Sequence, residues 1–165
     1  MHPAILYAAI GISVVVAYQD VRTRRIPNAL SLAMAMLGLV RIALTQDAIA
    51  GSYTLAAGAM VFAVTLALFH YGVIGGGDAK LIPATALVIG YRDLLGFLFL
   101  MSLCGGALAI AAIATDKLAA SLKRRRGRAS PPSPREIDFH APTASTVPYG
   151  CAVAAAGVIT LIASR

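Results

Sequence analysis

Long charge-free stretches constrain this chain more than any other feature of its sequence. Six runs without Asp, Glu, Lys or Arg follow one another, at 1–19, 26–40, 48–77, 81–91, 94–115 and 139–164. A helix needs about 20 mainly apolar residues to cross the roughly 30 Å hydrocarbon core of a bilayer. The runs therefore predict an all-α polytopic membrane protein, a bundle of about six transmembrane helices at about 3–19, 29–45, 51–71, 79–90, 94–115 and 147–163.

The composition excludes a soluble globular enzyme. Of the 165 residues, 59% are hydrophobic and 13% are charged, whereas soluble domains average about 45–50% and about 25%. A soluble chain of this length buries only about 70% of the surface that it exposes when unfolded, which would leave too much apolar surface in water. We therefore predict one membrane-embedded domain over residues 1–165, in which the first apolar run is a retained helix and not a cleaved signal peptide.

The lysines and arginines predict the orientation of the bundle. Because six helices alternate in direction, the 14 basic residues divide into three on one side of the membrane and eleven on the other. The three are Arg41, Arg92 and Arg165; the eleven are Arg22, Arg24, Arg25, Lys80, Lys117, Lys123, Arg124, Arg125, Arg126, Arg128 and Arg135. The cytoplasmic side carries the excess, so we expect both termini to lie outside a bacterial cytoplasmic (inner) membrane.

Residues 116–146 form the one long hydrophilic segment of the sequence. The basic run Lys123–Arg128 is followed by the proline-rich stretch Pro131–Pro134. Such a composition is typical of a flexible loop, which we place on the cytoplasmic side. We expect its basic residues to contact anionic lipid headgroups and expect no nucleic-acid partner, because orientation in the bilayer accounts for the positive charge.

Two of the seven acidic residues stand out by their position. Asp20 and Asp78 each lie at the cytoplasmic end of an apolar helix, on the same membrane face, where carboxylates are costly and usually functional. Two carboxyl groups brought close together share one proton. The ionised member can take a proton from water while the protonated member polarises a carbonyl. The pair is therefore a candidate catalytic site for amide hydrolysis, and this chemistry requires no cofactor and no metal.

Three glycines precede the second aspartate. Gly75, Gly76 and Gly77 leave the backbone before Asp78 free of side chains, which lets another chain lie close against it. We therefore treat them as candidate substrate-binding residues. From Asp78 to Gly90 a helix is only about 20 Å long, shorter than the roughly 30 Å hydrocarbon core. We expect Asp78 to sit some 10 Å below the cytoplasmic boundary, beneath a glycine-lined opening.

Two further polar residues are candidate substrate-binding positions near the aspartates. Lys80 follows Asp78 by two residues, so on a helix its side chain points about 200° away, which favours a role as an interfacial anchor. Asn28 follows Pro27 in the first turn of the second helix, where a contact near the site and an ordinary helix-start role are equally compatible with the sequence.

Three segments of the sequence together resemble a known family. They are Asp20 with Ile26-Pro27-Asn28 six residues later, Gly75–Lys80, and Val147–Ala152 with its Pro-Tyr-Gly opening. This pattern resembles the type IV prepilin peptidases and the related archaeal preflagellin peptidases, which are GxGD-type aspartic proteases of the membrane. The resemblance implies cleavage of the basic leader from prepilin or pseudopilin precursors at the cytoplasmic face, with Asp20 and Asp78 as the catalytic pair. It also implies that the apolar segment of the precursor enters laterally between helices.

The chain departs from the longer members of this family. Those bifunctional enzymes carry a loop with paired CxxC motifs and also N-methylate the new pilin terminus. Here only about nine residues separate the first two predicted helices, and none is cysteine. The chain therefore resembles the short, peptidase-only type of tight-adherence (Flp) pilus systems, and we expect no methyltransferase activity.

A different class of protein remains open at this point. A small ion or solute transporter could use Asp20 and Asp78 as a cation or proton site. Such transporters usually show internal repeats and charges near the membrane midplane. The sequence shows no convincing repeat, and both aspartates lie toward one face, so the peptidase is the favoured interpretation.

Overall fold

Six helices make up almost all of the residues that the structure describes, and the prediction of an all-α membrane fold is confirmed. The computed structural model describes residues 3–23, 27–45, 47–125 and 149–163, and no strand occurs within these ranges. The helices are α1 (Pro3–Thr23), α2 (Asn28–Leu44), α3 (Ala48–His70), α4 (Gly76–Ile89), α5 (Leu94–Arg125) and α6 (Tyr149–Ala163).

The largest difference from the predicted bounds is at the end of α5. This helix continues to Arg125, past the predicted end at residue 115, so the first part of the predicted loop is helical. The physical reason lies in the composition of 116–125, which consists mainly of Ala, Leu, Lys and Arg, all strong helix formers. The rest of the loop, with its proline-rich stretch, lies outside the described residues.

The helices differ in their ability to cross a membrane. By length and composition, α1, α3 and the Leu94–Thr115 part of α5 are long and apolar enough for a full crossing, whereas α2 and α6 are shorter apolar helices. Large apolar side chains such as Met60, Leu95 and Ile110 are exposed on the outer surface. Exposure of such a surface carries no hydrophobic penalty in lipid, whose acyl chains are equally apolar, as in a membrane protein.

The short helix α4 lies at the centre of the bundle. It packs most extensively against α2 and α3 and also contacts α6, which in turn packs against α1 and α5. Nearly all side chains from Ala79 to Ile89 are buried. Helix α2 lies close against α4 at Gly38, where an added Cβ would lie 2.7 Å from the Cβ of Leu87. Small residues at such crossings let helix backbones pack closely in lipid.

Candidate active site

The last turn of α1 places Asp20 inside the bundle, with only 6% of its surface exposed. Its Oδ2 accepts a hydrogen bond from the backbone N–H of Cys151 at 3.1 Å. Cys151 is the third residue of α6, and the first N–H groups of a helix have no partner within the helix. The N-terminus of α6 therefore supplies the donor that fixes the orientation of the Asp20 carboxyl group.

The first turn of α4 carries Asp78, which is half-buried. Its Oδ1 is buried and has no hydrogen-bond partner among the described residues. Most buried polar atoms in proteins are paired, and an exception calls for a physical reason. An unpaired carboxyl oxygen at the end of a helix is available to bind water or a polar group of a substrate.

Asp20 and Asp78 belong to different helices, α1 and α4, and their carboxyl groups lie within electrostatic range of each other. The alternation of helix direction brings the end of α1 and the start of α4 to the same end of the bundle. Two carboxyl groups at such a position favour a state in which one proton serves both.

Tyr149 is a site residue that sequence reasoning did not single out. The charge of Asp78 acts on its hydroxyl group, and its ring packs against Gly105 of α5, where an added Cβ would lie 2.7 Å from the ring. In the sequence, the signal for this residue was the Pro-Tyr-Gly motif at the start of α6, but the motif does not indicate which residues Tyr149 lies near. The start of α6 thus donates a hydrogen bond to Asp20 through the N–H of Cys151 and places Tyr149 within electrostatic range of Asp78.

The glycines before Asp78 form the edge of the site. Gly75 precedes α4 with extended backbone, and Gly76 and Gly77 are the first residues of the helix. Gly75 is exposed, and an added Cβ there would lie 3.4 Å from Oδ2 of Asp78. The structure therefore places Gly75 directly beside the carboxyl group, with no side chain of its own to cover it.

Lys80 and Asn28 contact each other and are not part of the aspartate pair. The Lys80 ammonium donates to Oδ1 of Asn28 at 3.2 Å, and both side chains are exposed. They border an apolar groove of about 660 Å³ between α2, α3 and α4, on the side of α4 turned away from Asp78. This contact ties the start of α4 to the start of α2.

For the leader cleavage that the resemblance of the sequence implies, we expect the variants Lys80→Met and Asn28→Ala to change kcat/KM by no more than about five-fold. One exposed hydrogen bond contributes about 1 kcal/mol, which corresponds to that factor. Measurement of steady-state cleavage by each variant checks this prediction. The double variant is the control that shows whether the two residues act through the same contact. A loss above about 100-fold in either single variant would show that the residue acts on the reacting part of the substrate.

The donor set of the site consists of carboxyl and hydroxyl groups. Within the described ranges, no group of three or more His, Cys, Asp or Glu side chains is arranged to hold a metal ion. The two carboxyl groups can themselves perform acid–base chemistry.

Comparison with known proteins identifies the family. Residues 7–110 match the type IV leader peptidase family. The chain belongs to this family. It is 33% identical over 121 residues to a prepilin leader peptidase/N-methyltransferase of Bacillus subtilis (strain 168), an alignment that covers 72% of this chain and 48% of the relative. The chain thus spans about half the length of that relative, and no solved structure gives a significant match.

The family match confirms the resemblance found in the sequence. The matched range contains Asp20, Asp78 and the three glycines before Asp78, and it ends within α5. Tyr149 and Cys151 lie beyond it, so their place beside the aspartates is known from the structure.

Proposed function

We propose that this protein is an aspartic endopeptidase that removes the basic leader from type IV pilin-like precursors. The observation that carries the proposal is that Asp20 and Asp78, from two helices, lie within electrostatic range of each other, and that an oxygen of Asp78 has no partner among the described residues. Membership of the type IV leader peptidase family supports the substrate class.

The proposed reaction uses the two carboxyl groups in different protonation states. The ionised aspartate takes a proton from a water molecule, whose oxygen attacks the scissile carbonyl carbon. The protonated aspartate donates to the carbonyl oxygen and stabilises the negative charge that develops there. When the tetrahedral intermediate collapses, the C–N bond breaks and the leaving amine takes a proton from the pair. No covalent intermediate forms, and neither a metal nor a cofactor takes part.

The dimensions of α4 support a site recessed in the membrane. The helix has 14 residues and is about 21 Å long, shorter than the roughly 30 Å hydrocarbon core. Helix α5 packs against Tyr149 at Gly105. From there its apolar part continues to Thr115, about 15 Å further along the helix axis. We propose that the precursor enters laterally between helices, with its leader junction against Gly75, Gly76 and Gly77.

The distribution of basic residues supports the orientation of the proposed enzyme. With the basic side in the cytoplasm, Asp20 and Asp78 face the compartment in which precursors carry their basic leaders, and both termini lie outside the inner membrane. Anionic headgroups would bind the basic segment between α5 and α6. We further propose that the enzyme leaves the new N-terminus unmethylated, because the α1–α2 connection holds no cysteine pair.

Leader cleavage by the purified protein tests the proposal. The protein in detergent is incubated with a type IV pilin-like precursor, and mass spectrometry identifies both products. We expect a single cut that releases the leader, with an unmethylated new N-terminus. The matched control is the double variant Asp20→Asn/Asp78→Asn, which we expect to leave the precursor intact.

The same preparation separates the peptidase from a transporter. Reconstituted in vesicles, a transporter would show ion or proton flux that depends on Asp20 and Asp78 and would leave the precursor uncut. That result would contradict the proposed function. Cleavage that depends on the aspartates, without such flux, supports it.

A further inference from the structure

The helix that carries Asp78 contains a proline in its interior. Pro83 of α4 has no backbone N–H, so it cannot donate to the carbonyl four residues earlier, which is that of Ala79. Ala79 directly follows Asp78 and is buried. The proline therefore leaves a buried carbonyl without its helical donor in the turn that presents the catalytic aspartate.

A hydroxyl group from the neighbouring helix fills this gap. Thr65 of α3 is 5% exposed, and its Oγ1 lies 3.0 Å from the carbonyl oxygen of Ala79. The same hydroxyl lies 3.1 Å from the carbonyl of Phe62 in its own helix. In a regular helix that carbonyl already receives the N–H four residues later. The acceptor that gains its missing partner is therefore Ala79.

The contact of Thr65 differs from those of the other buried threonines in the part of the chain that the structure describes. Thr54 in the same helix donates to the carbonyl of Ala50, and Thr160 donates to that of Ala156, each four residues earlier. Threonines in helices commonly bond back to their own helix in this way. Thr65 also lies within hydrogen-bond distance of a carbonyl of its own helix, that of Phe62, but it reaches across in addition to the carbonyl of Ala79, which Pro83 deprives of a donor.

From this geometry we propose that Thr65 is a positioning residue for Asp78. The inference rests on the proposed function, because it assigns Thr65 a role in the reaction of the aspartate pair. Without the hydroxyl, the start of α4 can tilt at Pro83, where helices characteristically kink. Since Oδ1 of Asp78 has no partner among the described residues, its position depends on the backbone that Thr65 holds.

A double-mutant cycle tests this role, because Pro83→Ala restores the missing N–H. We expect Thr65→Val to lower kcat for leader cleavage about ten-fold, the effect of one lost buried hydrogen bond, with KM changed less than about two-fold. Thr65→Ser retains the hydroxyl and should restore kcat. In the Pro83→Ala background, Thr65→Val should lower kcat less than about two-fold, because the two residues act on the same carbonyl, that of Ala79. Thr54→Val is the matched control and should leave kcat unchanged.

Amide hydrogen exchange of the 76–89 segment gives a readout that does not depend on catalysis. We expect Thr65→Val to speed exchange in this segment and Pro83→Ala to reverse that change.

A loss of kcat of equal size in both backgrounds, or no loss in either, would overturn the role of Thr65. If Thr65→Val does not fold, equal kcat in Thr65→Ser and wild type supports the role, and a ten-fold loss in Thr65→Ser overturns it. Failure of the proposed function is distinguishable, because the wild-type protein would then leave the precursor uncut, or cleavage would persist in the Asp20→Asn/Asp78→Asn variant, whatever the exchange shows.

Discussion

Replacement of either Asp20 or Asp78 by asparagine is expected to lower the rate of leader cleavage at least about 10³-fold. Asparagine has nearly the same shape as aspartate but neither takes nor gives a proton at neutral pH. In Asp20→Asn the amide oxygen can still accept from the N–H of Cys151. In Asp78→Asn no hydrogen bond of Oδ1 with the described residues is lost. The fold should therefore persist while the chemistry stops.

A control at the opposite end of the bundle isolates the effect of the carboxyl pair. Asp47 caps α3 by accepting from the N–H groups of Ile49 and Ala50. Asparagine is an equally good capping residue, so Asp47→Asn should cleave the precursor at the wild-type rate. Cleavage is measured with a purified precursor, and circular dichroism reports the helical content of each variant. A single variant at Asp20 or Asp78 that keeps more than about a tenth of wild-type activity would contradict the two-carboxylate mechanism.

The sequence predicts the bundle well because a bilayer imposes a simple rule on apolar helices. Charge-free runs of sufficient length become helices, and their alternation places the end of α1 and the start of α4 at the same side. The placement of Asp20 and Asp78 near the same end of the bundle follows from these two facts. The helical extension of α5 to Arg125 was missed because charge marks the membrane boundary and does not mark the end of a helix.

Contacts between helices are the part of the site that the sequence does not determine. Pro83 reveals from the sequence alone that the carbonyl of Ala79 loses its donor. Whether Thr65 or another hydroxyl reaches it depends on the rotation of α3 against α4. The same holds for Tyr149 and Cys151, which approach the aspartates only because α6 begins beside the end of α1. Periodicity gives the face of a helix, whereas these contacts depend on packing.

Gly38→Ala is expected to destabilise the protein by about 1–3 kcal/mol, the usual cost of overpacking a tight contact. An added Cβ would lie 2.7 Å from the Cβ of Leu87, 3.0 Å from its backbone carbon and 3.1 Å from the nitrogen of Val88. These atoms belong to the backbone of the central helix or are attached directly to it, so no change of side-chain rotamer relieves the clash. Thermal unfolding in detergent, followed by circular dichroism, should show a lower Tm.

Two other glycines provide matched controls for this prediction. Gly11 of α1 has no atom within 4 Å of an added Cβ, so Gly11→Ala should be neutral or should stabilise the protein by up to about 1 kcal/mol through helix propensity. Gly58 of α3 faces the outer atoms of the Leu87 side chain. The variant Leu87→Ala removes these outer atoms, so it should suppress the loss of stability caused by Gly58→Ala. It should not suppress the loss caused by Gly38→Ala, whose clash is with the Cβ and the backbone. If Gly38→Ala were as stable as Gly11→Ala, the close contact between α2 and α4 would be contradicted. Because α4 carries Asp78, a shift at this contact should also lower the cleavage rate of the protein that remains folded.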